Sequence, residues 1–302
     1  MGTFRIAAAV TLASLFAGPV IAEPARYSTP QDALEALMTG LRAADKTAVL
    51  TVFGEDAADY LSDGDPVEDQ LNRLTLLGLY QEGYRFEPQD DSSVMIALGA
   101  EGWLFPVPVS KDEGGQWSFD NEAGREEVRL REIGGNELEI IELLEAYVEI
   151  QRNFRQADMD GDGVMEFAQQ VISSSAEARD GLFWPNEDTM LGELFARASA
   201  TGYNDGTTDQ PPEPFFGYYF RILTEQSDAA PGGKMNYIVN GNMVGGHAIL
   251  AVPAIYGETG IHSFMVSENG LILEAVLGED TLELAAMIES FDPTEIWTAV
   301  IE

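Results

Sequence analysis

Beyond residue 22 the apolar positions first recur with a helical period. Ala33, Leu34, Leu37 and Leu41 share one face of a helix that Thr29 caps and Pro30 opens, with Asp32 near its positive end. Asp45-Lys46-Thr47 starts a short helical segment through Val49, Leu50 and Phe53. Gly64-Asp65-Pro66 breaks the chain before a third apolar stretch, Leu71 to Tyr80. The period then drops to two. Val94, Ile96 and Leu98 alternate as a strand. Trp103 to Val109 carries Pro106 and Pro108, which cannot donate to a central ladder, so this strand is expected at a sheet edge. Gly114-Gly115 turns and Gln116 to Asp120 returns. Helices followed by a small antiparallel sheet define an N-terminal α+β unit, residues 23–132.

Gly134-Gly135-Asn136 predicts the start of the longest helix, with Asn136 as its cap. Leu138, Ile141, Leu144, Val148 and Ile150 form its apolar stripe, widened by Leu143 and Tyr147, and the helix is expected to run to about Gln156. An acidic segment follows. A second amphipathic piece, Phe167 to Ile172, leaves it, and Ser173-Ser174-Ser175 ends that piece. Residues 185–216 are irregular and rich in polar, proline and glycine positions, the composition of a long variable or functional loop. From Gly217 the pattern is β: Tyr218 to Leu223, a Pro231-Gly232-Gly233 turn, and Tyr237 to Val239 leading into Asn240-Gly241, a favoured hairpin turn. Ala248 to Val252 is the most apolar strand, and Ile261–Val266, Asn269-Gly270 and Leu271–Val276 make another hairpin. A short helix, Thr281 to Ser290, closes the chain, with Phe291 and Trp297 packing it down. The expected class is therefore α+β: N-terminal helices plus a small antiparallel sheet, then a long helix, an acidic loop and an antiparallel β-meander over residues 133–302.

The first residues change the picture of where such a protein works. Arg5, the apolar run Ile6 to Ala17, the Gly18-Pro19 break and Val20-Ile21-Ala22 before Glu23 have the layout of a cleaved secretory signal, residues 1–22. No later stretch approaches the ~20 apolar residues of a transmembrane helix. The expected address is the periplasm of a Gram-negative bacterium, or the medium. The chain has no cysteine, so a lipid-anchored cysteine and disulfides are both ruled out. A formal charge of −36, spread along the chain, repels nucleic acid and anionic lipid.

The sharpest chemical statement is residues 158–166, Asp-Met-Asp-Gly-Asp-Gly-Val-Met-Glu. In EF-hand order Asp158, Asp160 and Asp162 take ligand positions 1, 3 and 5. Gly163 takes the sharp turn, Val164 offers its carbonyl and Glu166 falls at position 9. Gln169 stands where a bidentate glutamate is usual, and one amide oxygen replaces two carboxylate oxygens. The expected cofactor is Ca²⁺ at moderate to low affinity, ~10⁻⁴–10⁻³ M, the range of extracellular modules. Glu166, or a remote acid such as Asp180, completes the shell in an alternative arrangement. A metal-free Asp/Gly turn between two helices, or magnesium or manganese, are the competing readings.

Other chemistry is weakly marked. His247 and His262 are the two histidines, placed in one hairpin with His247 near Ser267 and His262 near Val252. That separates them by ~16 Å at ~3.3 Å per residue, too far to share zinc. Ser173-Ser174-Ser175 has no adjacent base, and neither a Gly-x-Ser-x-Gly elbow nor a phosphate loop is present. Gly245-Gly246 fits a bulge or a close backbone approach. Trp184, Phe215, Phe216, Tyr218 and Tyr219 suit either a glycan or peptide groove or ordinary packing.

Taken in order, Asp160-Gly161-Asp162-Gly163-Val164, Asp180-Gly181-Leu182-Phe183-Trp184-Pro185, Gly217-Tyr218-Tyr219-Phe220-Arg221-Ile222-Leu223, Ala230-Pro231-Gly232-Gly233 and Asn240-Gly241-Asn242-Met243-Val244-Gly245-Gly246 form a recognisable set. Phe291-Asp292-Pro293 with Trp297 extends it, as do Pro106-Val107-Pro108, Trp117-Ser118-Phe119-Asp120 and Ile133 to Leu138 in the first half. Together they resemble the bacterial exported-protein family called domain of unknown function 2950. The resemblance covers nearly the whole chain beyond residue 22. It implies an exported bacterial protein and carries over no catalytic residue. His247 stands where the family pattern has phenylalanine, which argues against a histidine-based site there.

The function expected on these grounds is a non-catalytic exported module for binding or envelope assembly, stabilised by calcium. An extracytoplasmic hydrolase using clustered carboxylates is the first alternative, and two acids ~5–9.5 Å apart beside Trp184 would mark it. A pilin-like secretion component is the second. A prepilin keeps its apolar leader as the start of its long helix, whereas residues 23–135 intervene here.

Overall fold

A computed structural model describes residues 23–62, 64–175, 178–184, 195, 198, 203–204, 209–210 and 212–301. The expected signal, residues 1–22, and most of the irregular segment from 185 to 216 lie outside these residues. The fold is α+β, with five α-helices and antiparallel sheets among the described residues. The chain divides into two compact units between Val128 and Arg129.

In the first unit, three helices start where their caps dictate. Helix α1 (Pro30–Ala43) is capped by Thr29, whose side chain accepts the Asp32 amide, and has proline in its first turn. Helix α2 (Lys46–Phe53) is capped by Asp45 through the Ala48 amide. Helix α3 (Pro66–Glu82) is capped by Asp65 through Val67 and Glu68. Leu34, Leu37, Met38 and Phe53 are buried with Ile96, Val107 and Phe119 in one core. The apolar stretch of α3 contributes less: none of its residues is fully buried, and Val67, Leu71 and Leu74 are exposed.

Strands β1 (Tyr84–Pro88), β2 (Ser93–Leu98), β3 (Trp103–Leu104), β4 (Val109–Lys111) and β5 (Trp117–Phe119) form one antiparallel sheet in the order β1-β2-β4-β5, with β3 also on β2. The expected edge strand over Trp103 to Val109 is instead split. Its first part pairs with Ala97 and Leu98, and its second with Ser93 and Val94, so β4 lies between β2 and β5. Pro106 and Pro108 fall in the break between the two pairings, where a missing N–H costs no ladder bond.

Helix α4 (Asn121–Phe154) is longer than its sequence suggests. Gly134-Gly135-Asn136 does not open it; the cap is Asp120, whose Oδ1 accepts the Ala123 amide at 3.1 Å. Apart from Gly124, helix-forming residues run from Glu122 to Glu132, and Gly134 and Gly135 cost only about 1 kcal/mol each relative to alanine. Leu144, Tyr147 and Val148 of the expected stripe are buried, Ile141, Leu143 and Ile150 pack against the same core, and Ile133, Ile140, Gln151 and Phe154 are buried as well, while Leu138 is 65% exposed. Asn136 has a different task, donating from Nδ2 to the Thr259 carbonyl at 3.0 Å.

Beyond the acidic loop the expected second helix is missing. Phe167 bridges to Met243, and Gln170–Ile172 is strand β6, paired in parallel with β7 (Gly181–Phe183). A run as short as Phe167 to Ile172 carries no decisive period, and available backbone partners settle its conformation. Two-residue strands β8 (Tyr203–Asn204) and β9 (Asp209–Gln210) pair with each other. The main sheet of this unit takes the order β10-β15-β16-β17-β18. Its strands are β10 (Tyr218–Leu223), β15 (Ala248–Pro253), β16 (Ser263–Ser267), β17 (Ile272–Ala275) and β18 (Thr298–Ala299). Strand β15, the most apolar run, lies between β10 and β16 and is buried at all six positions. Between β10 and β15 the chain makes two small ladders, β11 (Glu225–Gln226) with β12 (Met235–Asn236) and β13 (Ile238–Val239) with β14 (Asn242–Met243). The second closes on Asn240 at φ 55° and Gly241 at φ 98°, the left-handed pair that an Asn-Gly hairpin turn requires. Helix α5 (Thr281–Met287) packs on β15, and Phe291 and Trp297 are buried in the same core.

Candidate functional site

The acidic loop begins where α4 ends, and its first aspartate organises the backbone. Asp158 accepts the amides of Gly161 at 2.8 Å and Asp162 at 3.1 Å on one oxygen, and that of Gly163 at 2.9 Å on the other. Gly161 and Gly163 stand at φ 80° and 91°, so the sharp bends fall on residues that adopt them without strain. Asp160 accepts the Asp162 amide at 3.2 Å, and Asp162 accepts that of Val164 at 2.7 Å. The result is a curled loop with three exposed carboxylates. One oxygen of each of Asp158, Asp160 and Asp162 lies within 4.8 Å of the others, a separation one hard cation can bridge.

The other three candidate ligands divide. Val164 and Met165 are exposed on the far limb of the loop. Glu166 turns inward and is buried, where Oε2 accepts the Met243 amide at 2.6 Å and Gln169 Nε2 at 3.1 Å. Burial pushes its carboxyl upward, and the charges of Asp160 and Asp162 add to that rise against the two hydrogen bonds. Gln169 donates its amide to Gly241 carbonyl as well, at 2.6 Å. Glu166 and Gln169 therefore tie the loop to the β13–β14 hairpin rather than joining the three aspartates. Asn242 completes the attachment by donating to Asp162 Oδ2. Asp180 is also elsewhere: it accepts Ser174 and Gln170 side-chain and backbone groups and braces the β6–β7 pair.

Behind the loop, Gln151 is fully buried in α4. Its Oε1 accepts the Ala168 amide at 2.9 Å, and its Nε2 donates to the Ala168 carbonyl at 3.0 Å and to the Tyr147 hydroxyl at 2.9 Å. One side chain thus satisfies both backbone groups of the residue that follows Phe167. The sequence periodicity has no place for a polar residue on the buried face, so nothing in it signals this clamp.

The histidines serve different ends. His262 Nδ1 lies 3.0 Å from Glu137 Oε2, while Glu137 Oε1 accepts the Ile261 and His262 amides. His247 is almost fully buried between Tyr147 and Phe167, at ring distances of 5.3 and 4.7 Å. Burial, with Arg152 and Arg155 adding repulsion, pushes its pKa down to about 4. Its Nδ1 has no hydrogen-bond partner among the described residues. His247 also lines a pocket of about 300 Å³ with Tyr237, Gly245, Gly246 and Glu268, which the sequence did not announce. Trp184 and Tyr218 are core residues, Trp184 under the Arg179 guanidinium at 4.9 Å. No helix among the described residues is long and apolar enough to cross a membrane.

No curated protein and no solved structure matches this chain. A family model does match, over residues 25–300, and the chain belongs to the family described as "Protein of unknown function (DUF2950)".

Proposed function

We propose that this is an exported, non-catalytic binding or envelope-associated module whose 158–169 loop is stabilised by calcium. The observation that carries the metal reading is the convergence of Asp158, Asp160 and Asp162 oxygens within 4.8 Å. Oxygen-only donors on an exposed loop suit Ca²⁺ better than Mg²⁺, which demands near-ideal octahedral geometry. Glu166 and Gln169 act as the tether to β13–β14, so the ion's shell draws on the three aspartates, the Val164 carbonyl and water. Fewer charged ligands than a full EF-hand keeps the affinity in the ~10⁻⁴–10⁻³ M range. Export rests on the signal-like layout of residues 1–22, and protein recovered from expressing cells should begin at Glu23.

The test is the thermal midpoint of the mature protein with calcium and with chelator. At a hundredfold excess over the dissociation constant, binding to the folded state adds ~2.7 kcal/mol. Asp160→Ala should abolish the difference while leaving the chelated protein nearly unchanged, because Asp160 accepts a single amide hydrogen bond. Equal midpoints in calcium and chelator retire the metal reading.

A further inference from the structure

Segments far apart in the chain converge on the pocket beside His247. Gln226, Pro231, Met235 and Tyr237 come from the β11–β12 ladder and its surroundings, Gly245 to His247 lead into β15, Ser267 to Asn269 follow β16, and Phe291 follows α5. Its walls are fixed by bonds of their own. Buried Gln226 donates to the Pro231 and Gly233 carbonyls at 3.0 and 2.7 Å and accepts the Tyr237 hydroxyl at 3.0 Å. Gly245 and Gly246 let the backbone run against Tyr237: a Cβ on Gly245 would stand 3.0 Å from the Asn236 carbonyl, and Gly246 is held at φ 140°. The Gln226 amide and the Tyr237 hydroxyl, which shape this cavity, are therefore already satisfied.

Two polar groups at this cavity are not. His247 Nδ1 is buried without a hydrogen-bond partner among the described residues. The Glu268 carboxylate is exposed at the mouth and has neither a hydrogen bond nor an ion pair among the described residues. It lies against Gly246, 3.5 Å from where a Cβ would stand. Burial keeps the His247 ring neutral near pH 7, so it offers no positive charge to Glu268. Met235, Tyr237, Phe291 and the Pro231 ring give the lining an apolar and aromatic part, beside the uncharged polar side chains of Gln226, Ser267 and Asn269. A single unneutralised carboxylate over an aromatic and thioether lining complements a cation on a short apolar stem.

We propose that this pocket binds an alkylguanidinium or alkylammonium group, with the cation at Glu268 and the stem against Tyr237, Met235 and Phe291. The same chemistry is found in a free amine or guanidine and in an arginine or lysine side chain of a peptide. The assignment rests on the reading of the protein as a binding module, and it uses none of the acidic-loop residues.

The test follows amide NMR shifts of Gly245, Gly246 and Asn269 in ¹⁵N-labelled mature protein. The probes are N-butylguanidinium, its neutral isostere N-butylurea, and an end-capped Gly-Arg-Gly peptide, each in calcium and in chelator. Saturable shifts with butylguanidinium and none with butylurea are expected. Glu268→Gln, an exposed substitution, should weaken binding about tenfold by removing the charge-assisted contact. Tighter binding of the peptide assigns a protein partner, and binding of the free cation alone assigns a small molecule. The proposal is overturned if neither cationic probe gives saturable shifts, if butylurea binds equally, or if Glu268→Gln binds like the parent. Because each titration is run with chelator too, a loop that ignores calcium leaves this result intact, and a pocket that ignores cations leaves the metal result intact.

Discussion

The acidic loop and the pocket draw on neighbouring parts of one short segment, and they solve the problem of polar groups in opposite ways. Gly241, Asn242 and Met243 hold the loop; Tyr237 and Gly245 to His247 line the pocket. In the loop every aspartate already accepts at least one backbone amide, so the carboxylates are ordered before any ligand arrives. In the pocket the Glu268 carboxylate and the His247 ring have polar atoms with no hydrogen-bond partner among the described residues. The loop is self-sufficient and the pocket is not. A conspicuous run of like residues therefore reports local folding first, whereas unmatched polar atoms at a cavity report a missing partner.

The largest expected effect sharpens the pocket side. The folded pKa of His247 is depressed to about 4 from 6.5, so the folded state binds its proton less readily than the unfolded chain. The associated stability is fully present above pH 6.5 and is lost as the pH falls towards 4. A shift of this size corresponds to roughly 3 kcal/mol. Denaturant unfolding of the parent and of His247→Phe, measured between pH 7 and pH 4, should show that this slope belongs to His247. Equal slopes would place the acid sensitivity elsewhere.

Gln151→Leu attacks the loop side from behind. It leaves the Ala168 amide and carbonyl buried without partners, at about 2–3 kcal/mol. Hydrogen exchange at Phe167 and Ala168 should rise as well. Unchanged stability would mean that the loop exit stands without its clamp.

Gly245→Ala tests whether the pocket wall is as closely built as the geometry indicates. Its Cβ meets backbone, the Asn236 carbonyl at 3.0 Å and Tyr237 Cα at 3.1 Å, and neither can swing away. A loss of about 1–2 kcal/mol in chemical denaturation is expected. A neutral effect would show a wall that yields.

The smallest effect asks how self-sufficient the loop is. Asp158→Ala removes the acceptor for three amides, and the chelated protein should lose about 1 kcal/mol, as when a helix cap is deleted. If the variant matches the parent in chelator, the aspartates do nothing until a ligand binds, and the contrast with the pocket collapses.

Where the chain states its geometry locally, it can be read. Thr29-Pro30, Asp45 and Asp65-Pro66 mark three helix starts because caps act within four residues, and Asn240-Gly241 marks a hairpin because its turn does. The start of α4 is hard to read because Gly134-Gly135 looks like a break, while Asp120 caps an earlier start. Phe167 to Ile172 reads as helix in isolation because its actual partners, Met243, Gln151 and the β7 strand, lie outside any short window. Asp158, Asp160 and Asp162 do converge as their alternation implies, yet the tethering by Glu166 and Gln169 depends on a hairpin more than 70 residues away. The pocket is hidden for the same reason: residues between 226 and 247 meet Ser267 to Asn269 and Phe291 only once the sheet is built.

The Gln151–Ala168 clamp has a consequence for binding thermodynamics. Its two hydrogen bonds join positions 17 residues apart, so the acidic segment is a noncovalent ring closed on the last turns of α4. Closing a chain segment of that length carries an entropic cost that grows with the logarithm of its length. Folding has already met that cost, so an arriving ion has only side-chain rotamers and its own hydration shell left to rearrange. Opening the ring at Gln151 would hand the closure entropy back to the ligand, and the loop's affinity for any cation would fall with it.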